Sequence, residues 1–455
     1  MKITKEMIQE GYYRGIVQLI DSPHSDGTVC QIGEHWFYFG GLAAEERTSE
    51  EYRKEVPEAT IIEKIYEALN DLVSDGFEDE YSYYVCILQE HKKLVHKIVI
   101  TGGPCAGKTT AMSWIQNVFT EKGYRVLFVP ETATELITGG VAPWTCSSNK
   151  KFQGFQIQLQ KKKEEIFEKA AVDIPEDKIL IVCDRGLLDN KAYMSARDFY
   201  EVVKRENLNE IEMRDGYDAV FHLVTAAKGA EEFYTLANNA ARTETLEEAI
   251  ALDDKLIAAW TGHPHLRIID NSTDFEKKME RLIKEISVFL GEPEPYEIER
   301  KYLIEYPDVE KLEKMINCQK VEISQTYLSD AAGNEVRVRQ RGKDGDYIYT
   351  QTTKKNVSGC KRVEIEKRLS EREYVTLLMQ ADPECRPIRK TRYCLMYKNQ
   401  YFEIDLYPFW KDRAIVEIEL SKENDEIQFP DFLKVIQEVT EDESYKNHSL
   451  AKQLS

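Results

Sequence analysis

The chain has 455 residues, more than one hydrophobic core usually holds, and at ~150 residues per domain it should divide into about three. Its 61 basic and 81 acidic residues give a net charge of −20, which argues against a general nucleic-acid binder because a phosphate backbone repels such a surface, and leaves room only for a local basic groove. A hydrophobic share of 42% supplies cores and excludes a wholly disordered chain.

The nine cysteines are scattered, odd in number and without a Cys-x-x-Cys pair, so neither a disulfide framework nor a zinc site is indicated and a reducing compartment is expected. The first residues lack the roughly 7 to 15 apolar positions of a signal peptide, and no run approaches the ~20 that cross a bilayer. A cytoplasmic protein is expected. Residues 1–93 read as a small accessory α+β domain, with β-like runs at Gly15–Ile20, His35–Phe39 and Tyr81–Leu88 and an amphipathic helix over Thr60–Val73. His24, Cys30 and His35 have no metal-ligand spacing, and no function follows from this segment.

Residues 94–291 alternate strand and helix patterns, with strands at Lys97–Thr101, Arg125–Val129, Lys178–Cys183, Asp218–Val224 and Leu266–Ile269, which predicts a parallel sheet. Gly102-Gly103-Pro104-Cys105-Ala106-Gly107-Lys108-Thr109 fits GxxxxGK[ST] between a strand and a helix, the context a phosphate loop needs. Backbone amides and a helix N-terminus receive phosphate, Lys108 reaches the β- and γ-phosphates, and the Thr109 hydroxyl suits Mg²⁺; Thr110 completes the loop. Asp184 ends an apolar strand and is the candidate second metal residue. Glu131 either meets an acceptor substrate or water or caps a helix, and Arg242 is either a lid arginine or a surface one.

The phosphate loop, Pro130-Glu131, Gln156 and Gln158 on one helix, and Asp184-Arg185-Gly186 together resemble the AAA-type P-loop family of nicotinamide riboside kinases and of the GTP-binding part of insect TRP-channel trafficking proteins. The resemblance implies NTP and Mg²⁺ binding, with phosphoryl transfer or a nucleotide switch as outcomes. The nucleotide, ATP or GTP, stays open, since no Asn-Lys-x-Asp guanine motif occurs; Asn271 reads as a helix cap.

Gly291-Glu292-Pro293-Glu294-Pro295 is a stiff linker, and residues 292–455 then offer eight candidate strands: 296–304, 322–328, 335–341, 346–353, 361–368, 386–397, 400–407 and 413–420. A period of two places Glu297, Glu299 and Lys301 on one face. The same holds for Arg337, Arg339 and Arg341, for Arg362, Glu364, Glu366 and Arg368, for Lys390 and Arg392, for Glu403 and Asp405, and for Glu417 and Glu419; Lys354 ends a further strand. Facing outward, these groups would be a solvated surface over an apolar interior. Facing inward, Glu297, Glu299, Glu403, Asp405, Glu417 and Glu419 form an all-oxygen site for Mg²⁺ or Mn²⁺ opposite a basic cradle for polyphosphate.

Glu297-x-Glu299-x-Lys301 followed by Arg-x-Arg, a lone Lys, Lys-x-Arg, Glu-x-Asp and Glu-x-Glu is similar to the CYTH family, the triphosphate tunnel metalloenzymes. That resemblance implies the inward arrangement and an eight-stranded antiparallel tunnel. Glu297, Glu299, Lys301, Arg337, Arg339, Lys354, Lys390 and Arg392 would then carry catalysis. The expected architecture is an α/β P-loop NTPase domain plus an eight-stranded antiparallel β tunnel domain, preceded by a small α+β segment. The leading expectation is a metal-dependent triphosphatase. The alternatives are a nucleotide-dependent trafficking protein that grips an acidic phospholipid headgroup and a small-molecule kinase with a regulatory CYTH domain. Lys446 and His448 read as surface residues.

Overall fold

The computed structural model describes residues 3–13, 17–22, 27–32, 35–39, 47–74, 77, 80–85, 94–234, 245–291, 298–329, 335–358, 361–420 and 425–453. For 354–358 and 361–365 only the backbone is described. Glu297, Arg242 and His24 therefore lie outside it, as do the side chains of Lys354, Arg362 and Glu364.

In the N-terminal region β1 (Val17–Asp21), β2 (Thr28–Ile32) and β3 (His35–Tyr38) form an antiparallel meander with the helix Glu58–Ser74. That helix turns Ile61, Ile62, Ile65 and Leu69 into the core, the i, i+4 stripe that marks a half-buried helix. The strand expected from Tyr81 is helical over 80–85. Tyr81 and Tyr84, three positions apart, are both buried in the core, while Tyr83 stacks on His35 with ring centroids 4.2 Å apart. The run of apolar and aromatic residues suits either period, and packing selected the helical one.

A five-stranded sheet follows, in the order β5-β6-β4-β7-β8, built from β4 (Leu94–Gly102), β5 (Arg125–Val129), β6 (Lys178–Asp184), β7 (Ala219–Leu223) and β8 (Leu266–Ile269). β4 pairs with β7, and β7 with β8, in parallel. Helices connect successive strands, as parallel pairing requires.

The third sheet is antiparallel, with the order β13-β12-β11-β10-β14-β15-β16-β9-β17. Its strands are β9 (Ile298–Glu305), β10 (Cys318–Leu328), β11 (Glu335–Lys343), β12 (Asp346–Ser358), β13 (Lys361–Leu369), β14 (Ile388–Tyr397), β15 (Gln400–Leu406), β16 (Arg413–Leu420) and β17 (Val435–Glu438). All eight expected strands are present, but the sheet has nine. The addition, β17, is four exposed residues paired to the edge of β9. It has no in-out alternation of burial, so only its pairing partner reveals it.

Candidate phosphate sites

The glycine-rich turn between β4 and the helix Lys108–Glu121 is shaped by residues with positive φ: Gly102 at 145°, Cys105 at 57° and Gly107 at 95°. A Cβ on Gly102 would stand 2.1 Å from the Leu223 carbonyl oxygen, so only glycine fits where β4 leaves the sheet. Asp253, buried on the helix Leu246–Trp260, anchors this turn. Its Oδ1 accepts from the Gly103 amide at 3.0 Å and the Thr225 amide at 3.2 Å and lies 3.0 Å from His222 Nε2. Burial alone would push the Asp253 carboxyl up, but His222 and Lys228 hold it well below the usual carboxylate range. Asp253 carried no motif; its signal was an acid within the buried helical stripe of Ala249, Leu256, Ile257 and Trp260.

Lys108 Nζ folds back on the turn and donates to the carbonyls of Gly102 at 3.1 Å and Gly103 at 3.4 Å. Burial, aided by Arg185, brings its ammonium down to about 8, while Asp184 and Glu131 act in the opposite sense. Asp184 ends β6 with Oδ1 buried and without a hydrogen-bond partner, and burial raises its carboxyl despite Lys108. An orphaned carboxylate oxygen near the loop lysine fits the oxygen-rich shell of Mg²⁺. Thr109 and Thr110 are exposed at the first turn of the helix, and the Pro104 and Ala106 carbonyls accept from the Thr225 hydroxyl at 2.5 Å and Lys278 Nζ at 3.2 Å.

Arg185 follows Asp184 at φ 74°, an uncommon conformation for a side chain of its size, and Nε donates to Glu131 Oε1 at 2.5 Å. Glu131 occupies the N-cap position of the helix Thr132–Thr138 but makes no capping hydrogen bond. It turns instead to Arg185, which with Lys108 holds its carboxyl well down against burial. Asn271 is not a helix cap either. It donates to the Thr225 and Lys228 carbonyls at 2.8 and 2.7 Å, and Asp274 caps the helix Phe275–Phe289.

On the antiparallel sheet, register decides which side chains share a face. Arg337, Arg339 and Arg341 stand opposite Tyr327, Gln325 and Ile323; Ile323 and Val321 stand opposite Lys390 and Arg392; Arg392 opposes Asp405, Glu403 opposes Glu417, Glu417 opposes Lys301, and Glu419 opposes Glu299. These groups are therefore all on one face. The alternate residues Tyr302, Ile304, Tyr393, Leu395, Phe402, Ile404, Val416 and Ile418 pack together on the other.

The charged face is enclosed. Lys390 is 6% exposed, Glu417 7% and Asp405 0%, too little for a solvated surface. Arg392 donates to Asp405 through Nε and Nη2, both at 2.7 Å, to Glu417 at 2.6 Å and to Glu403. Lys301 Nζ lies 2.7 Å from Glu417, and Lys390 pairs with Asp405. Burial would raise the Glu417 carboxyl, yet Lys390, Lys301 and Arg392 hold it well below the usual range. Burial moves Lys390 the other way, downward, helped by Arg392. Glu299 is open to water but has protein on most sides; that crowding, then Glu417, pushes its carboxyl up, and the water it meets screens part of the rise. Among the described residues no three metal-ligating side chains gather, because basic groups stand between the carboxylates.

One end of this face meets the P-loop domain. Arg341 is 5% exposed and Nη1 donates to Asp215 Oδ2 at 2.6 Å, while Arg214 donates to both Asp215 oxygens at 2.6 and 2.8 Å. Arg368 donates to the Asp215 carbonyl; Tyr401 accepts from the Gly262 amide and donates to the His263 carbonyl, both at 3.1 Å; Arg267 of β8 pairs with Glu419. Arg341, Arg368, Tyr401 and Glu419 lie at the C-terminal ends of β11, β13 and β16 and the N-terminal end of β15, which is the same end of antiparallel strands. Arg341 thus belongs to a domain contact rather than to a phosphate cradle. At the opposite end Leu450 and Ala451 pack with Tyr327, Ile388, Tyr407 and Ile415, and His448, expected on the surface, rests on Tyr327 with centroids 4.8 Å apart.

Residues 97–278 match the family model of an AAA domain and residues 295–454 that of the CYTH domain. Two solved structures, described as the inorganic triphosphatase NE1496 and the hypothetical protein NE1496, are each 29% identical over 34% of this chain. They are covered over 95% and 98% of their own lengths, with TM-scores of 0.25 and 0.26. No curated protein matches. No helix among the described residues is long and apolar enough to cross a membrane.

Proposed function

From a chain that carries an AAA domain at 97–278 followed by a CYTH domain at 295–454, we propose a metal-dependent triphosphatase whose second phosphate site, the P-loop, binds ATP or GTP with Mg²⁺. The observation that supports it is the enclosed face on which Lys301, Lys390 and Arg392 interleave with Glu403, Asp405 and Glu417. An enclosed array of three cations and three anions is balanced while empty, and an incoming triphosphate competes for the cations. That competition frees carboxylates for a divalent ion, so anion and metal should bind together.

In this reading Arg337, Arg339, Lys354, Lys390 and Arg392 take up charge on the phosphoryl oxygens, and Glu297, Glu299, Glu403, Asp405, Glu417 and Glu419 supply oxygen ligands, with Lys301 orienting Glu417. A bound Mg²⁺ or Mn²⁺ would supply Lewis-acid polarisation of the phosphate. At the P-loop Thr109 and Asp184 would hold Mg²⁺, with Gly102 to Thr110 around the phosphates and Arg242 as a lid group. Phosphate release from tripolyphosphate with Mg²⁺ or Mn²⁺ tests the assignment, with Glu417→Gln and Lys108→Ala as partners. Equal turnover by wild type and Glu417→Gln overturns it.

A second reading, a small-molecule kinase, is favoured by one contact. Glu131 forgoes its helix cap to meet Arg185 near Lys108, and its other oxygen accepts from the Thr134 hydroxyl at 2.7 Å, the position an acceptor hydroxyl would take in exchange. Transfer of γ-phosphate to a panel of nucleosides, lost in Glu131→Gln, would establish it. Among the described residues no contact favours the phospholipid reading.

A further inference from the structure

β9 and β16 set like charges directly opposite one another, Glu299 against Glu419, and β15 and β16 do the same with Glu403 and Glu417. Directly opposed carboxylates destabilise a sheet unless a cation offsets them. The Glu403 and Glu417 pair has that cation within its own sheet, since Arg392 donates to both. In the second pair Glu299 has Lys301 of its own strand pulling on its charge, while Glu419 draws its cation from the other domain: Arg267, the second residue of β8, pairs with Glu419 through Nη2. The guanidinium is also held from behind, with Nε 3.7 Å from Glu285 on the helix Phe275–Phe289 and Nη1 donating to the Leu266 carbonyl at 3.3 Å. Its side chain is 25% exposed, so water and ions reach it.

We infer that Arg267 is a built-in substitute for the divalent ion at the Glu299 and Glu419 pair, so that the metal and the P-loop domain compete for Glu419. The inference rests on the metal-dependent reading of the CYTH face given above. A divalent ion that takes Glu419 must displace the guanidinium, and by linkage whatever tightens the Arg267 contact weakens metal binding by the same factor. The P-loop domain thereby sets the metal affinity of a site that lies on another sheet.

The test uses the full chain without nucleotide but with a fixed excess of imidodiphosphate, a non-hydrolysable polyphosphate that occupies the basic groups, in an Asp184→Asn background that removes the P-loop metal residue, and follows free Mn²⁺ by its paramagnetic resonance signal against a protein-free blank. Arg267→Gln should bind Mn²⁺ about tenfold more tightly than the parent, and Arg267→Lys, which keeps the charge, should stay near it. Mn²⁺ should also speed amide exchange in β8 of the parent and leave Arg267→Gln unmoved. Unchanged or weaker binding by Arg267→Gln overturns this inference alone. No Mn²⁺ binding by the parent, or equal binding by Glu417→Gln, overturns the metal-dependent reading and this inference with it.

Discussion

The two candidate phosphate sites are built by opposite means. The P-loop is eight consecutive residues whose backbone does the work, so its geometry is local: positive φ at Gly102, Cys105 and Gly107 and a helix that starts at Lys108. The CYTH face is assembled from single side chains on separate strands, none adjacent in sequence to its partner across the sheet. A backbone site depends on conformation, whereas a side-chain array depends on register and on charge balance, so the two should fail differently when perturbed.

The largest expected effect separates the sites outright. Glu417→Gln should lower tripolyphosphate turnover about 10² to 10³-fold, and Lys108→Ala should abolish nucleotide binding while leaving that turnover in place. Release assays and nucleotide titration on both variants check the independence. Next is Asp215→Ala, which leaves Arg214 and Arg341 buried without their carboxylate and should cost about 3–5 kcal/mol by denaturant unfolding.

A pH experiment probes the same contact. Burial holds the His263 imidazole down to about 3, against a local pull upward from Asp215, while the unfolded chain takes its proton near 6.5. Between those values the unfolded state binds more protons, so stability rises with pH and falls on acidification below about 6.5. The loss should reach about 2 kcal/mol at pH 5 from this group and should be absent in His263→Gln. Gly107→Ala sharpens the backbone side of the comparison: at φ 95° its Cβ would stand 2.6 Å from the Phe275 ring, so nucleotide affinity should fall about tenfold with tripolyphosphate turnover unchanged. The smallest effect belongs to the outer face. Arg300→Ala breaks a solvent-exposed pair with Glu438 and should cost less than about 1 kcal/mol in the same unfolding assay.

That difference in construction also governs what the residues alone could reveal. The P-loop was legible as a contiguous motif, and eight strands of the third sheet were legible because charged and apolar residues alternate along them. β17 was not, since its four residues are exposed and, among the described strands, paired to β9 alone. Arg341 shares the parity of Arg337 and Arg339, so periodicity grouped the three; the difference lies in Asp215, which is distant in sequence. Arg267 was invisible for the same reason, and Asp253 showed only as an acid inside an apolar helical stripe. Asp189 takes the Gly186 amide at 2.8 Å, a local contact three residues back, but also Trp260 Nε1 at 3.1 Å, a partner that only the folded P-loop domain supplies.

The carboxylate of Asp215 sits wholly enclosed between one guanidinium from its own helix and another from β11. Neither half of the protein is thus electrically complete by itself at that point. A truncation at the proline-rich linker would hand each fragment a raw, charge-stranded surface in place of a finished exterior. The two domains are consequently expected to be expressed and purified only as a single unit.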